Sequence, residues 1–329
     1  MSNYGGGLIA GIAINGIPLG LIHPGKVFWV SNATAAAQLK GVRPGSDSAG
    51  TPGTFNRPFA TLDYAIGQCT ASRGDVIVIK PGHSETFTTA AAIVSDVAGV
   101  AVVGLGSGDA RPTFTAQIGA AGSEANATWS VTAANLSFYN LLFVADVDSA
   151  TPLTTFFDVA AGGDNLTFDN CEMKDASATS TFIAFITCAT GVDNLTLNNS
   201  KISNASTVGG AFLSLVAGSG LYISNSSLYQ NGVSAAPTVG QITATGAVTN
   251  VLIKDSYFRS FADGAVLIDF QDAANSGLIT NCYFSSDDAA DATTTSVEFT
   301  GGHCFECYVA GDADSFGIAG GGAAIYNNA

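Results

Sequence analysis

The sequence contains few groups that could perform chemistry, and most of them stand alone. Three aspartates, Asp287, Asp288 and Asp291, lie together in the segment SSDDAADA. Carboxylate oxygens are the ligands that Ca²⁺ prefers, so this segment is one candidate metal site. Acidic runs of this kind are more often solvated loops. We therefore predict no metal ion and no other cofactor at these residues.

A second group combines a histidine with two cysteines. His303, Cys304 and Cys307 form a single Cys-x-x-Cys pair beside a histidine. A structural zinc site needs four ligands, and the sequence offers no second pair to complete one. Cys307 also shares its position in a repeat, described below, with Cys171 and Cys282. That shared position favours a role in packing the core over a role in binding metal.

The remaining candidate motifs do not form a catalytic set. His83, in the turn sequence PGHSE, has no nucleophile beside it. Asn135, Asn165 and Asn194 match the Asn-x-Ser/Thr acceptor pattern for glycosylation, but the repeat itself generates these matches. The sequence contains neither a glycine-rich phosphate-binding motif nor a nucleophile elbow. We predict no catalytic residue and no enzymatic activity.

The elements that must position these residues follow one repeated pattern. Asn or Gly is followed by an aliphatic residue, any residue, an aliphatic residue or Phe, any residue, and then an anchor. A second short strand follows each anchor, and a third apolar segment follows later, so most repeats hold three short strands. The anchors are Gly104, Asn140, Asn170, Asn199, Asn225, Asp255, Asn281 and Glu306.

This repeat restricts the choice of fold. A helical solenoid needs long runs with a period of about 3.6 residues, and a propeller blade needs four strands in about 40 residues. Three short strands in about 25 to 30 residues form one coil of a β-helix, and coils bury their apolar faces against one another. We predict an all-β, right-handed parallel β-helix of about eight or nine coils, spaced by about 4.8 Å. A short N-terminal capping helix and an extended N-terminal arm complete the predicted fold.

The anchors indicate how the chain turns between the first and second strands. Asn, Asp and Gly tolerate the left-handed backbone conformation that a sharp corner requires. Stacked asparagines could form a ladder of amide hydrogen bonds along the axis, or they could be ordinary turn residues without a ladder. Inside the coils we expect an apolar stack of Phe138, Phe168, Leu197, Ile223, Ile253 and Ile279.

We divide the chain into three parts. Residues 1–33 form an apolar arm, residues 34–110 contain a linker, the capping helix and the first coil, and residues 111–329 form the β-helix. The arm lacks the basic start of a signal peptide, and its glycines, prolines and asparagine interrupt any membrane span. Two possibilities remain open: the arm packs on a partner, or it folds back over the end of its own core.

The capping helix is predicted within residues 55–69. Pro58 suits the start of a helix. An amphipathic helix at this place would cover the open end of the β-helix and block edge-to-edge pairing. Its apolar face would contain Phe59, Leu62, Ile66 and Cys69.

Charge excludes several classes of partner. The chain carries 11 Lys and Arg against 26 Asp and Glu, for a net charge of −15. Nucleic acids and anionic membranes both require a basic surface, so we expect neither as a partner. Six cysteines without a secretory signal do not imply a disulfide framework.

The start of the predicted β-helix resembles a known group of proteins. The segment NRPFATLDYAI followed by GDVIVIKPGHSET is similar to the N-terminal cap and first coil of pectin-lyase-like β-helix proteins, versions of which are encoded by tailed bacteriophages. The resemblance covers about residues 50 to 310 and is specific for fold rather than function. It implies a relationship to phage tailspikes, which bind or cut host polysaccharide, and to virion decoration proteins. Both commonly assemble as trimers.

The same resemblance weakens an enzymatic interpretation. The hydrolase branch of the group carries Asn-Thr-Asp, Asp-Asp, His-Gly and Arg-x-Lys motifs. Here His303 follows two glycines instead of preceding one, and no Lys or Arg occurs after Arg259. Only the Asp287–Asp288 pair remains, as a fragment of the family pattern.

Two functions follow as expectations. The first is a structural virion protein, a bacteriophage capsid decoration (cement) protein made in the host cytoplasm and located on the capsid surface. Residues 1–33 would bind the major capsid protein or other virion subunits, and the protein would be a homotrimer. The second is a tailspike or tail-fibre protein that binds or depolymerises host glycans. Tyrosines that could stack on sugar rings, or simply face solvent, are Tyr222, Tyr229, Tyr257 and Tyr283.

Overall fold

The computed structural model is nearly all β, and its strands stack in parallel from one coil to the next. The residues that the structure describes are 13–14, 17–18, 25–34, 41–117, 127–147, 153–177, 180, 182–205, 210–230, 240–261, 266–286, 295–311, 315–317 and 324–327. Among these residues every strand pairing between successive coils is parallel, which makes the chain a parallel β-solenoid. Parallel strands joined by a crossover take the right-handed sense.

Each coil contributes to three faces, here called A, B and C. Face A ends at the anchors, face B follows them, and face C closes the coil. Face A contains Val27–Val30, Val76–Ile79, Ala101–Gly104, Ser137–Tyr139, Thr167–Asp169, Leu195–Asn198, Leu221–Ser224, Val251–Lys254, Gly277–Thr280 and the first part of His303–Gly311.

Face B begins after the first full turn of the chain. Its last strand pairs with Ala324–Asn327. Face B contains Ser84–Phe87, Thr113–Gln117, Leu142–Asp146, Glu172–Asp175, Lys201–Asn204, Ser227–Gln230, Tyr257–Ser260, Tyr283–Ser286 and the last part of His303–Gly311.

Face C is a separate sheet of nine strands. Two short strands, Gly218–Ser219 and Val248–Thr249, pair in parallel between faces C and A. Face C contains Ile93–Ser95, Trp129–Val131, Leu153–Val159, Phe182–Cys188, Ala211–Leu215, Ile242–Ala244, Ile268–Phe270, Thr295–Phe299 and Ser315–Gly317.

The predicted apolar stack is confirmed. Its six side chains are fully buried and occupy one register column of face A, from Phe138 to Ile279. The first coils add an aromatic cluster around Trp129, whose indole nitrogen donates to Ser95 Oγ at 2.9 Å. Each fully buried large apolar side chain stabilises the fold by about 1.5–3 kcal/mol.

The corner between faces A and B behaves largely as predicted. Positive φ values occur at every anchor from Asn140 to Glu306, whereas Gly104 turns the corner without one. The amide ladder is present but incomplete. Asn170 donates to Asn140 at 3.0 Å and Asn281 donates to Asp255 at 2.7 Å.

At two anchors the amide does not donate to the anchor of the preceding coil. The Asn199 amide donates to the carboxylate of Asp169 at 3.3 Å, and the Asn225 amide donates to Asn198 at 3.4 Å. A carboxylate is a stronger acceptor than an amide oxygen, which accounts for the shift at Asn199.

A second amide ladder was not anticipated. It stands at the corner between faces C and A, where Asn135, Asn165 and Asn194 all have positive φ. Asn165 donates to Asn135 at 3.0 Å, and Asn194 donates to Asn165 at 2.9 Å. All three residues also match the glycosylation pattern, and the amide hydrogen bonds among them here join successive coils.

From Cys171 onward, the residues that follow the anchors form a buried column of small side chains. Cys171, Cys282 and Cys307 lie in this column, as the repeat predicted, and all six cysteines of the chain are free. Serines occupy the intervening coils, where the Cys171 backbone N–H donates to Ser200 Oγ at 3.2 Å. The Ser200 N–H donates in the same way to Ser226 Oγ at 3.1 Å.

The capping helix is shorter and later than predicted. It spans Leu62–Gly67, and Thr61 is its N-cap, so the placement of Pro58 at the helix start is wrong. The reason is local, because the Thr61 hydroxyl accepts from the helix N–H of Tyr64 at 3.4 Å. Helix residue Asp63 accepts from the Val94 N–H at 2.9 Å and so covers the free edge of face C.

The segment predicted as an arm contributes directly to the solenoid. Val27–Val30 is the first strand of face A and pairs with Val76–Ile79. Further upstream, Ala13–Ile14 pairs antiparallel with Ile17–Pro18 in a two-stranded sheet of its own. The other residues before 25 lie outside the described part of the chain. Within the described part, no helix has the length and apolar character needed to cross a bilayer.

Candidate functional site

A groove runs along the corner between faces A and B near the C-terminal end of the solenoid. We call it the corner groove, and its volume is about 570 Å³. It extends over four successive coils, or roughly 14 Å at the spacing of stacked strands. The corner groove is lined by Asn225, Ser226, Ser227, Asp255, Ser256, Tyr257, Asn281, Cys282, Tyr283 and Tyr308.

The repeat itself builds this groove. In each coil the anchor points outward, the next residue points into the core, and the second residue after the anchor points outward again. The anchors therefore form one wall and the second residues form the other. Strand register places Ser227, Tyr257, Tyr283 and Tyr308 in one column. The floor consists of small buried residues such as Ser256 and Cys282.

The aromatic wall is a stack of tyrosine rings. The ring centroids of Tyr257 and Tyr283 are 5.5 Å apart with an interplanar angle of 17°, and those of Tyr283 and Tyr308 are 6.4 Å apart with an angle of 25°. These values describe offset stacking, in which each ring covers much of its neighbour's face. The wall therefore presents ring edges and phenol hydroxyls to a ligand. Tyr283 is 40% exposed and Tyr308 is 42% exposed.

The opposite wall supplies amide and carboxylate groups. Asn225, Asp255 and Asn281 are exposed, and the Asn281 amide donates to one carboxylate oxygen of Asp255 at 2.7 Å. Asp255 is the single carboxylate of the lining. This wall can accept and donate hydrogen bonds, but it offers no second acidic group.

The phenol of Tyr257 has a perturbed pKa. Burial raises the pKa of Tyr257 above its ordinary value, and the neighbouring phenol of Tyr229 raises it further. Arg259 acts in the opposite direction without reversing the shift. The Tyr257 phenol therefore remains protonated well above neutral pH and keeps its O–H group.

The structure brings together three of the four tyrosines singled out in the sequence. Tyr229 lies beside Tyr257, with ring centroids 5.7 Å apart, and Tyr257 lies beside Tyr283. Tyr222 instead lies on the outer side of face A, in register with Leu252. Tyr308 was missed, although it occupies the second position after Glu306, as Tyr283 does after Asn281.

The histidine and cysteines of the candidate zinc motif do not converge. The His303 side chain is exposed on face A, whereas Cys304 and Cys307 are buried in the core. Hydrogen bonding to Cys307 and burial raise the pKa of the Cys282 and Cys304 thiols, so these side chains remain neutral. Among the described residues, no group of three or more His, Cys, Asp or Glu side chains could hold a metal ion.

The other candidate residues from the sequence lie away from the corner groove or outside the described residues. Asp287, Asp288 and Asp291 lie outside the described residues. His83 is buried and structural, since its Nδ1 accepts from the Asn32 N–H at 3.1 Å. Its Nε2 lies 2.9 Å from a carboxylate oxygen of Glu85, which also accepts from the N–H of the first helical residue. His83 thus ties the first coil to the cap.

One carboxylate pair was missed by the sequence analysis. Asp269 and Glu298 are register partners on face C, and no other described strand pairing puts two carboxylates side by side. Gln271 donates to Asp269 at 2.9 Å. Aligning the third segments AVLIDF and SVEFTG would have revealed the pair. The two groups lie on face C and are therefore separate from the corner groove.

No known protein family matches the sequence, and no curated protein matches it. A solved structure of a pectin methylesterase mutant in complex with a hexasaccharide is similar to this chain, with a TM-score of 0.44 and 12% sequence identity. The similarity covers 88% of this chain and 90% of that chain. The parallel β-solenoid fold of this chain follows from the strand pairing described above.

Proposed function

We propose that this protein is a structural component of a bacteriophage virion, a capsid decoration (cement) protein on the capsid surface. The observation that carries the proposal is that polar groups at the corners form hydrogen bonds between successive coils. Asparagine amides and serine hydroxyls at the corners bond from coil to coil, as Asn165, Asn170 and Ser200 do. Such a chain is built as a rigid rod, because each coil is stabilised by its neighbours.

The anchoring part of the proposal concerns residues 1–33. Residues 4–25 carry no charge and are rich in apolar side chains, which suits insertion between virion subunits such as the major capsid protein. The solenoid would project from this anchor, and three copies would associate, as in the phage proteins whose first coil this sequence resembles. In this role the rod contributes stability and needs no catalytic group.

Copy number in purified particles tests this proposal. Quantitative mass spectrometry of virions should find this protein in hundreds of copies, in a fixed ratio to the major capsid protein. A copy number between about three and about eighteen, or absence from particles, would overturn the capsid role. Deleting residues 1–24, which precede the first solenoid strand, should leave a folded rod that no longer joins the particle. Its control is the full chain expressed in the same way.

The corner groove favours a second candidate function, the binding of host surface glycan by a tailspike or tail-fibre protein. Its phenol hydroxyls, amides and carboxylate match the hydroxyl groups of a neutral polysaccharide. Cleavage is less well supported, since glycosidases use two carboxylates and the groove lining has only Asp255. Substituting Tyr283→Ala should abolish binding to a glycan surface if this function holds. Tyr222→Ala, outside the groove, is the matched control.

A further inference from the structure

A small polar pocket lies on the loop of residues 41–58. This loop covers the N-terminal edge of face A, where the Trp29 N–H donates to the Gly53 carbonyl at 2.8 Å. The pocket has a volume of about 190 Å³. Its polar lining consists of Arg43, Ser46, Ser48, Thr51 and Arg57.

Backbone hydrogen bonds hold the two sides of the pocket together. The Arg43 N–H donates to the Asn56 carbonyl at 2.9 Å, and the Ser46 N–H donates to the Pro58 carbonyl at 3.1 Å. The Thr51 N–H donates to the Ser48 carbonyl at 3.0 Å and closes the turn between them. Arg43 and Arg57 are therefore brought to one pocket by a fixed backbone.

The charge of this pocket is unusual for the molecule. The chain has 26 acidic residues and a net charge of −15, yet no carboxylate lines this pocket. Within the described residues Arg73 pairs with Asp75 and Arg111 pairs with Glu172, but Arg43 and Arg57 have no such partner.

The nearest acidic residue in the sequence is already engaged. One carboxylate oxygen of Asp47 accepts from the N–H groups of Ala60 and Thr61, and the other accepts from the Thr61 hydroxyl at 2.8 Å. Asp47 is thus held by the two residues that precede the helix, and among the described residues it forms no ion pair with Arg43 or Arg57. The two guanidinium groups remain available to an external anion.

The donors suit an anion that carries several oxygen atoms. Two guanidinium groups offer forked N–H pairs, and the hydroxyls of Ser48 and Thr51 belong to the same lining. The Ser46 hydroxyl donates to Ser48 Oγ at 3.0 Å and leaves the Ser48 hydroxyl hydrogen for a ligand. Two positive charges match a dianion, and the volume equals that of about six water molecules. We propose that this pocket binds a phosphate group, held by Arg43 and Arg57 and oriented by the hydroxyls of Ser48 and Thr51. The proposal is independent of the role suggested for the solenoid.

Titration with inorganic phosphate tests the site. Isothermal titration calorimetry of the full chain near pH 7.5, with ionic strength held constant by chloride, should show saturable binding to one site. Arg43→Gln and Arg57→Gln should each weaken binding about tenfold or more, because each removes a charge-assisted contact. Lys254→Gln, which removes an exposed positive charge on face A, is the matched control and should bind as the unaltered protein does.

A second ligand distinguishes the source of the phosphate. If glycerol phosphate binds as tightly as inorganic phosphate, the pocket accepts a phosphate group carried by a larger molecule. If inorganic phosphate alone binds, the site holds the free anion, and both results support the site. Absence of saturable binding would overturn the proposal. Phosphate binding that survives when Arg43→Gln and Arg57→Gln are combined in one variant would also overturn it. So would a loss of binding that is equally large in Lys254→Gln. Unchanged circular dichroism would show that the variants remain folded.

Discussion

Substitution of Asn170 separates the two contributions that an anchor makes to the solenoid. The backbone of Asn170 is left-handed, with φ of 52°, and its amide donates to Asn140 at 3.0 Å. Asn170→Gly removes the hydrogen bond but keeps a residue that accepts this φ, so we expect a loss of about 0.5–1.5 kcal/mol. Asn170→Ala removes the bond and adds the left-handed penalty of a Cβ atom, about 1–2 kcal/mol more. The alanine variant should therefore be the less stable of the two.

Equilibrium unfolding in urea, followed by circular dichroism, measures both variants. Asn56→Ala is the control, because Asn56 is exposed and has no positive φ. The midpoint should fall in the order control, Asn170→Gly, Asn170→Ala, with similar slopes. Equal stability of the alanine and glycine variants would refute the penalty that we assign to a Cβ atom in the left-handed conformation at residue 170. A glycine variant as stable as the control would refute the contribution of the ladder.

Three further predictions concern the core, the cap and the thiols. Phe168→Ala should cost about 3–5 kcal/mol in urea unfolding, because it empties a fully buried position, whereas Phe305→Ala, at a side chain that is 49% exposed, should cost far less. At Asp75 burial opposes the charge, but hydrogen bonds from Arg73 and backbone N–H groups outweigh it and lower the pKa below its ordinary 3.8. The contribution of ionised Asp75 to the free energy of unfolding is complete above pH 3.8 and is lost as the pH falls through the lowered pKa. Below about pH 4, the free energy of unfolding of Asp75→Asn should therefore depend less on pH than that of the unaltered protein. Burial raises the pKa of Cys171 to about 12, so iodoacetamide should label this cysteine only after unfolding. Rapid labelling of Cys171 in the native protein, located by peptide mass spectrometry, would contradict its burial.

The inward side of the fold could be predicted from the sequence because burial restricts it strongly. A residue such as Leu197 or Ile253 contacts its counterparts in the coils before and after, so only apolar side chains fit. The anchors were predictable for a related reason, since few residue types accept a left-handed corner. Gly104 shows the limit of that argument. Glycine also fits an ordinary corner, and its presence does not reveal which conformation the backbone takes.

Local competition between polar groups was harder to predict. The repeat aligns Asn199 with Asn170, yet the Asn199 amide bonds to Asp169, one residue earlier in the neighbouring coil. At the cap, the pattern of apolar residues could not distinguish a helix beginning at Pro58 from one beginning after Thr61. Hydrogen bonds from Thr61 to Asp47, across a loop, favour the helix that begins after Thr61. Such choices depend on contacts that sequence spacing does not contain.

Only part of the corner groove was predictable from the sequence, and its chemistry was not. Alternation along face B indicated that Tyr257 and Tyr283 point outward, where a flat ring could lie against a sugar. Stacked strands are separated by only about 4.8 Å, which is too close for two neighbouring rings to lie side by side on the surface. The rings must therefore stack on one another, as their 5.5 Å centroid distance shows. Any ligand in this groove meets hydroxyl groups and ring edges, so its recognition depends on hydrogen bonds to Tyr283, Asp255 and Asn281 more than on aromatic stacking.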